Sequence, residues 1–133
     1  MDSILDRAES GPLYLRRPEI ASMMVGALQH GEQKMSMYRL HAYVVLANHV
    51  HVLITPLESL SRITHSLKRF TARKANEMLG MTGQPFWQEE SYDHLVRDAE
   101  GFERVVRYIE NNPVRAGLVA EPHEFPWTSA KAD

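Results

Sequence analysis

Two histidines stand one residue apart at His49-Val50-His51. On an extended strand, residues i and i+2 project to the same side, so the imidazoles converge and Val50 turns away. Imidazoles at this spacing suit two ligands of one divalent ion. The plainer reading is a hydrogen-bonded or surface pair. These two interrupt a stretch that otherwise runs Val50, Val52, Leu53, Ile54, which implies a use for their face. Two imidazoles do not hold a hard ion unaided, so a third ligand is expected, an oxygen from Asn112, Glu110 or Glu103. Tyr108 and Asn112 are i and i+4 on an expected last helix, hence neighbours at the edge of its apolar stripe. Glu110 points further away. A tyrosine at that edge is either a core residue with a wet hydroxyl or a nucleophile. In the second case a bound metal polarises the group under attack and the phenol supplies the attacking oxygen.

The elements that must hold these residues are legible from periodicity. Pro18 opens a helix in which Ile20, Met23, Met24, Ala27 and Leu28 recur at helical spacing, with Gly31 as its expected end. Tyr38–Leu46 and His49–Thr55 read as two strands of an antiparallel hairpin stopped by Pro56. Residues 59–79 read as a long helix with Leu60, Ile63, Leu67, Phe70 and Met78 on its apolar stripe. Tyr92–Val96 reads as a short strand. Phe102, Val105, Val106 and Ile109 mark an amphipathic helix limited by Pro113. Ile4-Leu5 is a weak strand signal, and the tail with Pro122, Pro126 and Trp127 is expected over the core. This order predicts one α+β domain over residues 1–133, an antiparallel sheet with helices packed on one face.

Composition narrows the function classes. The chain has 133 residues, 44% apolar and 24% charged, enough for one ordinary core. It has no cysteine, which excludes a disulfide framework, a thiolate metal site and a cysteine nucleophile, and fits a reducing compartment. No apolar run approaches the roughly 20 residues of a membrane span, and MDSILDRAES does not read as a secretory signal. No membrane partner is therefore expected. There is no Gly-rich dinucleotide or Walker-type loop.

The net charge of −2 argues against a wholly basic surface, but its distribution is uneven. Residues 59–76 carry Arg62, Lys68, Arg69, Arg73 and Lys74 and no acid, while residues 77–110 carry eight acids against three arginines. Arg62, Arg69 and Arg73 fall within about 40° of one another on the helix, opposite its apolar stripe. A solvated helix face and a phosphate-binding face both fit such a run.

The run LHAYVVLANHVHVLITP (residues 40–56), followed by RYIENNPVRAGLV (107–119), resembles the REP-associated tyrosine transposases of the single-tyrosine HUH endonuclease superfamily. LSRITHSLKRFTARKANEMLG, PFWQEESYDHLVRD and the closing PWTSA share the likeness, which covers roughly residues 4 to 129. The resemblance implies a ferredoxin-like sandwich that cleaves and rejoins single-stranded DNA at hairpin-forming sequences in the cytoplasm. It makes His49, His51 and Asn112 ligands of Mg²⁺ or Mn²⁺. It makes Tyr108 the nucleophile, leaving a 5′-phosphotyrosyl link and a free 3′-OH. Arg62, Lys68, Arg69, Arg73 and Lys74 would then meet DNA phosphates, and Phe86 or Trp87 would either stack on an unpaired base or pack in the core.

Two departures from the family pattern stand out. Ala47 replaces the usual proline before Asn-His. Only Ser3 to Arg7 remain where the family places a longer first strand, so the expectation is a shortened sheet, a strand supplied by another chain, or a misassigned start codon; a homodimer is a separate expectation. The shortened start also motivates an alternative, a domesticated module that binds nucleic acid without cutting. A further alternative is a small zinc hydrolase using His49, His51 and a carboxylate.

Overall fold

A computed structural model describes residues 2–9, 14–47, 49–87, 92–96 and 99–131, the first and last strands as backbone. Four strands, β1 (Asp2–Glu9), β2 (Tyr38–Val45), β3 (His49–Pro56) and β4 (Tyr92–Val96), form one sheet in the order β2-β3-β1-β4. All three pairings are antiparallel. Helix α1 (Pro18–Gln33) links β1 to β2, and α2 (Leu60–Leu79) links β3 to β4. Each connection therefore crosses over a strand inserted between its two ends, the doubled split-βαβ arrangement of the ferredoxin-like fold. Helix α3 (Ala99–Glu110) and the short α4 (Asn112–Arg115) follow.

The first strand is not shortened. β1 has 8 residues, as many as β2 and β3, and pairs with β3 from Ser3↔Ile54 to Glu9↔His49 and with β4 from Asp2↔Val96 to Asp6↔Tyr92. A bulge between Leu5 and Ala8 lets it follow β3 as far as His49. Both its edges are occupied, so no strand from a second copy is needed there.

The helices occupy both faces of the sheet, contrary to the single covered face that the sequence suggests. On one face Tyr38, Val45, Val50, Val52 and Ile54 pack with Ile20, Met24 and Leu28 of α1 and Ile63 and Ala75 of α2. On the other, Ala42, Val44 and Leu53 pack with Ile109, Phe102, Val105 and Val106 of α3. A strand buried on both sides has no solvent face to alternate with, which explains the near-continuous apolar run of β3.

The buried stripe of α2 also differs from expectation. Phe70 and Met78 are exposed, whereas Ile63, Thr71, Ala75 and Asn76 are buried. Thr71 enters the core because its hydroxyl is satisfied: it donates to the Leu67 carbonyl (2.7 Å) and accepts from Trp87 Nε1 (2.9 Å). That bond and the buried Phe86 ring, edge-on to Trp87 and stacked on Tyr14, give both aromatics packing roles. Ser59 caps the helix through the Arg62 N–H, and Gly80 closes it in the left-handed region at φ 69°.

Gly31 does not end α1, which runs on to Gln33. It is the floor beneath Tyr38, whose hydroxyl donates to the Leu28 carbonyl (2.6 Å), and a Cβ on Gly31 would collide with that ring. Gly31→Ala is therefore expected to cost about 1–3 kcal/mol through overpacking, read as a lower urea midpoint.

The C-terminal segment closes the free edge of β2. Val45 donates to the Trp127 carbonyl (2.9 Å), Val44 bridges Thr128, and Tyr43 donates its N–H to Ser129 Oγ (2.9 Å). Edge strands left open invite pairing with other chains, and this strap removes that template.

Candidate active site on the outer face of β3

Alternation along β3 sends Val50, Val52 and Ile54 toward α1 and α2, and therefore turns His49 and His51 with Leu53 toward α3. The two imidazoles lie 4.9 Å apart, ring centre to ring centre, with their planes perpendicular. His51 is buried at 3% exposure and His49 is half-buried. The sheet therefore fixes the inner imidazole and leaves the outer one accessible.

α3 supplies the third aromatic. Its core anchor is Ile109, fully buried against Ala42, Val44 and Leu53. Tyr108 is one residue earlier, about 100° around the helix, which puts it at the margin of the contact. Its ring meets His51 edge-on with centroids 5.8 Å apart, yet the residue keeps 41% exposure. The phenol thus lies against an imidazole and still faces solvent, as a nucleophile for a large substrate must.

α3 stops at Glu110, and Asn112 begins the separate α4, so Tyr108 and Asn112 do not share one uninterrupted helix. The cause is Pro113, which has no N–H to give back to the preceding turn. Asn111 nevertheless keeps helical angles (φ −86°, ψ −4°) and donates to the Arg107 carbonyl at 2.9 Å. Asn112 consequently remains about one turn beyond Tyr108, half-buried.

Two neighbours of Tyr108 escaped the sequence reading or were only partly read. Arg115 lays its guanidinium over the Tyr108 ring, 4.4 Å from the centroid, and reaches the Tyr108 carbonyl at 3.5 Å. Its spacing of seven residues, two helical turns, was the available signal. Glu110 accepts a hydrogen bond from Ser129 Oγ (2.7 Å), the same hydroxyl that receives the Tyr43 N–H. That carboxylate is committed to anchoring α3 on the β2 edge, in line with its outward direction. Glu103 is exposed.

The spacing of the two imidazoles is compatible with their sharing one divalent ion. At metal–nitrogen distances of about 2.1 Å, two imidazoles on adjacent coordination positions have ring centres roughly 5 Å apart, near the separation seen. Among the described residues no group of three His, Cys, Asp or Glu side chains is placed to hold a metal. A carboxylate-completed zinc centre is thus not built from them. An amide oxygen, with substrate and solvent oxygens, would have to complete the shell.

The family model described as "Transposase IS200 like" matches residues 19–112, a stretch that contains both histidines, Tyr108 and Asn112. The chain belongs to the IS200-like transposase family. A REP-associated tyrosine transposase of Escherichia coli K12 is 26% identical over 125 residues, spanning 89% of this chain and 72% of that one. A solved structure of a REP-associated tyrosine transposase bound to a REP hairpin superposes with a TM-score of 0.70 at 19% identity, over 96% of this chain and 74% of the other. A transposase-like protein of Deinococcus radiodurans R1 gives 0.58 at 21% identity, over 84% and 89%. Both solved structures share the fold.

The basic residues of this IS200-like transposase lie elsewhere. α2 packs on the opposite face of the sheet from His49, His51 and Tyr108. Arg62, Arg69 and Arg73 are exposed along it, as their spacing predicts. Arg62 is 3.8 Å from Glu58, and Arg73 lies over the exposed Phe70 ring at 5.7 Å. Lys68 and Lys74 are half-buried, and burial lowers the Lys68 pKa. Lys74 approaches Glu77 at 4.0 Å. DNA that met both the arginine row and the histidine pair would have to pass around the sheet. No helix among the described residues is long and apolar enough to cross a membrane.

Proposed function

We propose that this IS200-like transposase cuts and rejoins single-stranded DNA beside hairpins, with Tyr108 as nucleophile and His49, His51 and Asn112 as ligands of Mg²⁺ or Mn²⁺. The observation that carries the reading is the edge contact of a solvent-facing Tyr108 with the buried member of the histidine pair. The relative solved with a REP hairpin supports hairpin DNA as the substrate class. The non-cleaving alternative drew on a shortened first strand, and β1 is paired along both edges.

Tyr108 Oη attacks the scissile phosphorus. The Oη–P bond forms, the bond from phosphorus to the 3′ oxygen breaks, and the phenol's proton is made up on the departing 3′-OH. The phosphodiester energy is conserved in the phosphotyrosine, so a second 3′-OH can reverse the step without ATP. When bound, the divalent ion supplies positive charge to the non-bridging phosphate oxygens, undiminished because its protein ligands are neutral. Arg115 holds the Tyr108 ring from the solvent side and adds a fixed cation near the same phosphate.

The test uses a hairpin oligonucleotide with single-stranded flanks, the protein and Mn²⁺, resolved on a denaturing gel. A label at the 3′ end should migrate with the protein and a label at the 5′ end should be released. Release of both labels without an adduct would mean hydrolysis by another route. Intact DNA under all divalent ions would leave only binding.

A further inference from the structure

A concavity lies away from the histidine–tyrosine pair. It has a volume of about 460 Å³ and is lined by Met35, Met37, Glu58, Ser61, Arg62, His65 and Ser66. Met35 and Met37 come from the α1–β2 connection, Glu58 from the β3–α2 connection, and the rest from the first two turns of α2. The walls are tied together by the Leu57 N–H, which donates to the Met37 carbonyl at 2.9 Å. From His51 to the end of β3 at Pro56 is roughly 17 Å of strand. A ligand here therefore cannot touch the reacting phosphate.

The lining is divided by chemistry. Met35 is 51% exposed and offers a polarizable, flat-fitting thioether at the mouth, and Met37 closes the inner wall. Ser61, Ser66, His65 and Glu58 present both donors and acceptors. Arg62, whose side chain is 79% exposed, stands at the rim and is only loosely held by Glu58 at 3.8 Å. From it the cationic row continues along the exposed face of α2 to Arg69 and Arg73. Those steps are about 10 Å and 6 Å at 1.5 Å per residue, or two to three stacked base steps at ~3.4 Å. A cationic track leading to a pocket with an apolar wall and a mixed polar edge has the chemistry of a strand backbone and one unpaired base. A free anion would use the arginines but leave the methionines idle, and an apolar peptide would leave the arginines idle.

We propose that this cavity takes one unpaired nucleotide of the bound DNA strand, with its base against Met35 and Met37 and the phosphates of the adjoining strand along Arg62, Arg69 and Arg73. The site would read sequence at a distance from the scissile phosphate. This inference rests on the DNA substrate proposed above and adds a specificity site to it.

The experiment is an abasic scan, measured by fluorescence anisotropy, of a hairpin oligonucleotide carrying single-stranded flanks. One flank position should weaken binding about tenfold when its base is removed, the scale of losing one stacked base. Ser61→Trp fills the cavity from an exposed position. It should bind the intact oligonucleotide about as weakly as wild type binds that abasic one, with no further loss from the missing base. Met35→Ala, also at an exposed residue, should give the same change in smaller degree. An abasic profile in Ser61→Trp identical to that of wild type would overturn the proposal, as would a flat profile in wild type. Adduct formation with a flat profile sinks the pocket alone. A dependent position without adduct sinks the cleavage chemistry alone, and failure of wild type to bind the hairpin sinks both.

Discussion

Tyr108→Phe should form no covalent DNA adduct, a loss below detection and not a slowing. Phenylalanine fills the same place against His51 but has no oxygen with which to make the bond to phosphorus. The substitution removes only a hydroxyl from a residue with 41% exposure, so stability should stay within about 0.5 kcal/mol of wild type. Binding of the hairpin should persist, because the arginine row lies on the opposite face. The edge contact with His51 (5.8 Å) and the stacking of Arg115 (4.4 Å) are ring contacts that phenylalanine retains. Adduct formation in the variant would remove Tyr108 from the chemistry, and loss of hairpin binding with it would point to a structural role.

The histidine pair and the tyrosine were legible because each depends on a short period. Alternation by two puts His49 and His51 on one side, and the helical period puts Tyr108 at the edge of the Ile109 stripe. The hairpin read as Tyr38–Leu46 and His49–Thr55 and the helix read over 59–79 were equally local, and the structure places them at Tyr38–Val45, His49–Pro56 and Leu60–Leu79. What stayed hidden depends on partners distant in the chain. β1 carries Asp2, Asp6, Arg7 and Glu9 and shows little strand propensity, yet pairing along both edges makes it central, a case of context overriding propensity. An amphipathic helix declares that it has an apolar face but not which side of the sheet receives it. Hence the opposed placement of α2 and α3 could not be read.

The same limit explains the details around the site. The Phe70 and Met78 positions fit an ideal stripe, but α2 buries Thr71 and Asn76 instead, the Thr71 hydroxyl accepting from Trp87 Nε1 and Asn76 Nδ2 donating to the Gln84 carbonyl (2.6 Å). Glu110 looked merely misdirected. Its role becomes visible only when Ser129, 19 residues later, is found bonded to it. Through that bond the closing PWTSA segment fixes the end of α3, and with it the approach of Tyr108 to His51. The segment that covers the β2 edge therefore also sets the geometry of the proposed nucleophile.

His49→Ala and His51→Gln should each lower the rate of adduct formation by at least about 100-fold while leaving hairpin binding within about threefold of wild type. Phosphoryl transfer places its new charge on non-bridging oxygens, and loss of a divalent ion held by the two histidines would cost several kcal/mol of transition-state stabilisation. In the proposed reading the DNA is held by the arginines on the other face, so ground-state binding should be spared. The two variants differ in what they risk. His51 is 3% exposed and packed against His49 and Tyr108, so glutamine is chosen to fill space that alanine would leave empty. His49 is half-buried, and its truncation leaves β3 paired on both sides. Titration with Mn²⁺ alone, followed by electron paramagnetic resonance, separates metal loss from misfolding. Wild type should bind one ion, and His49→Ala should bind it at least tenfold more weakly while melting like wild type. Raised Mn²⁺ should then restore part of the His49→Ala rate, because its remaining donors still form an incomplete shell. Mn²⁺ affinity equal to wild type in both variants would take the histidines out of the metal site and return them to a packing role.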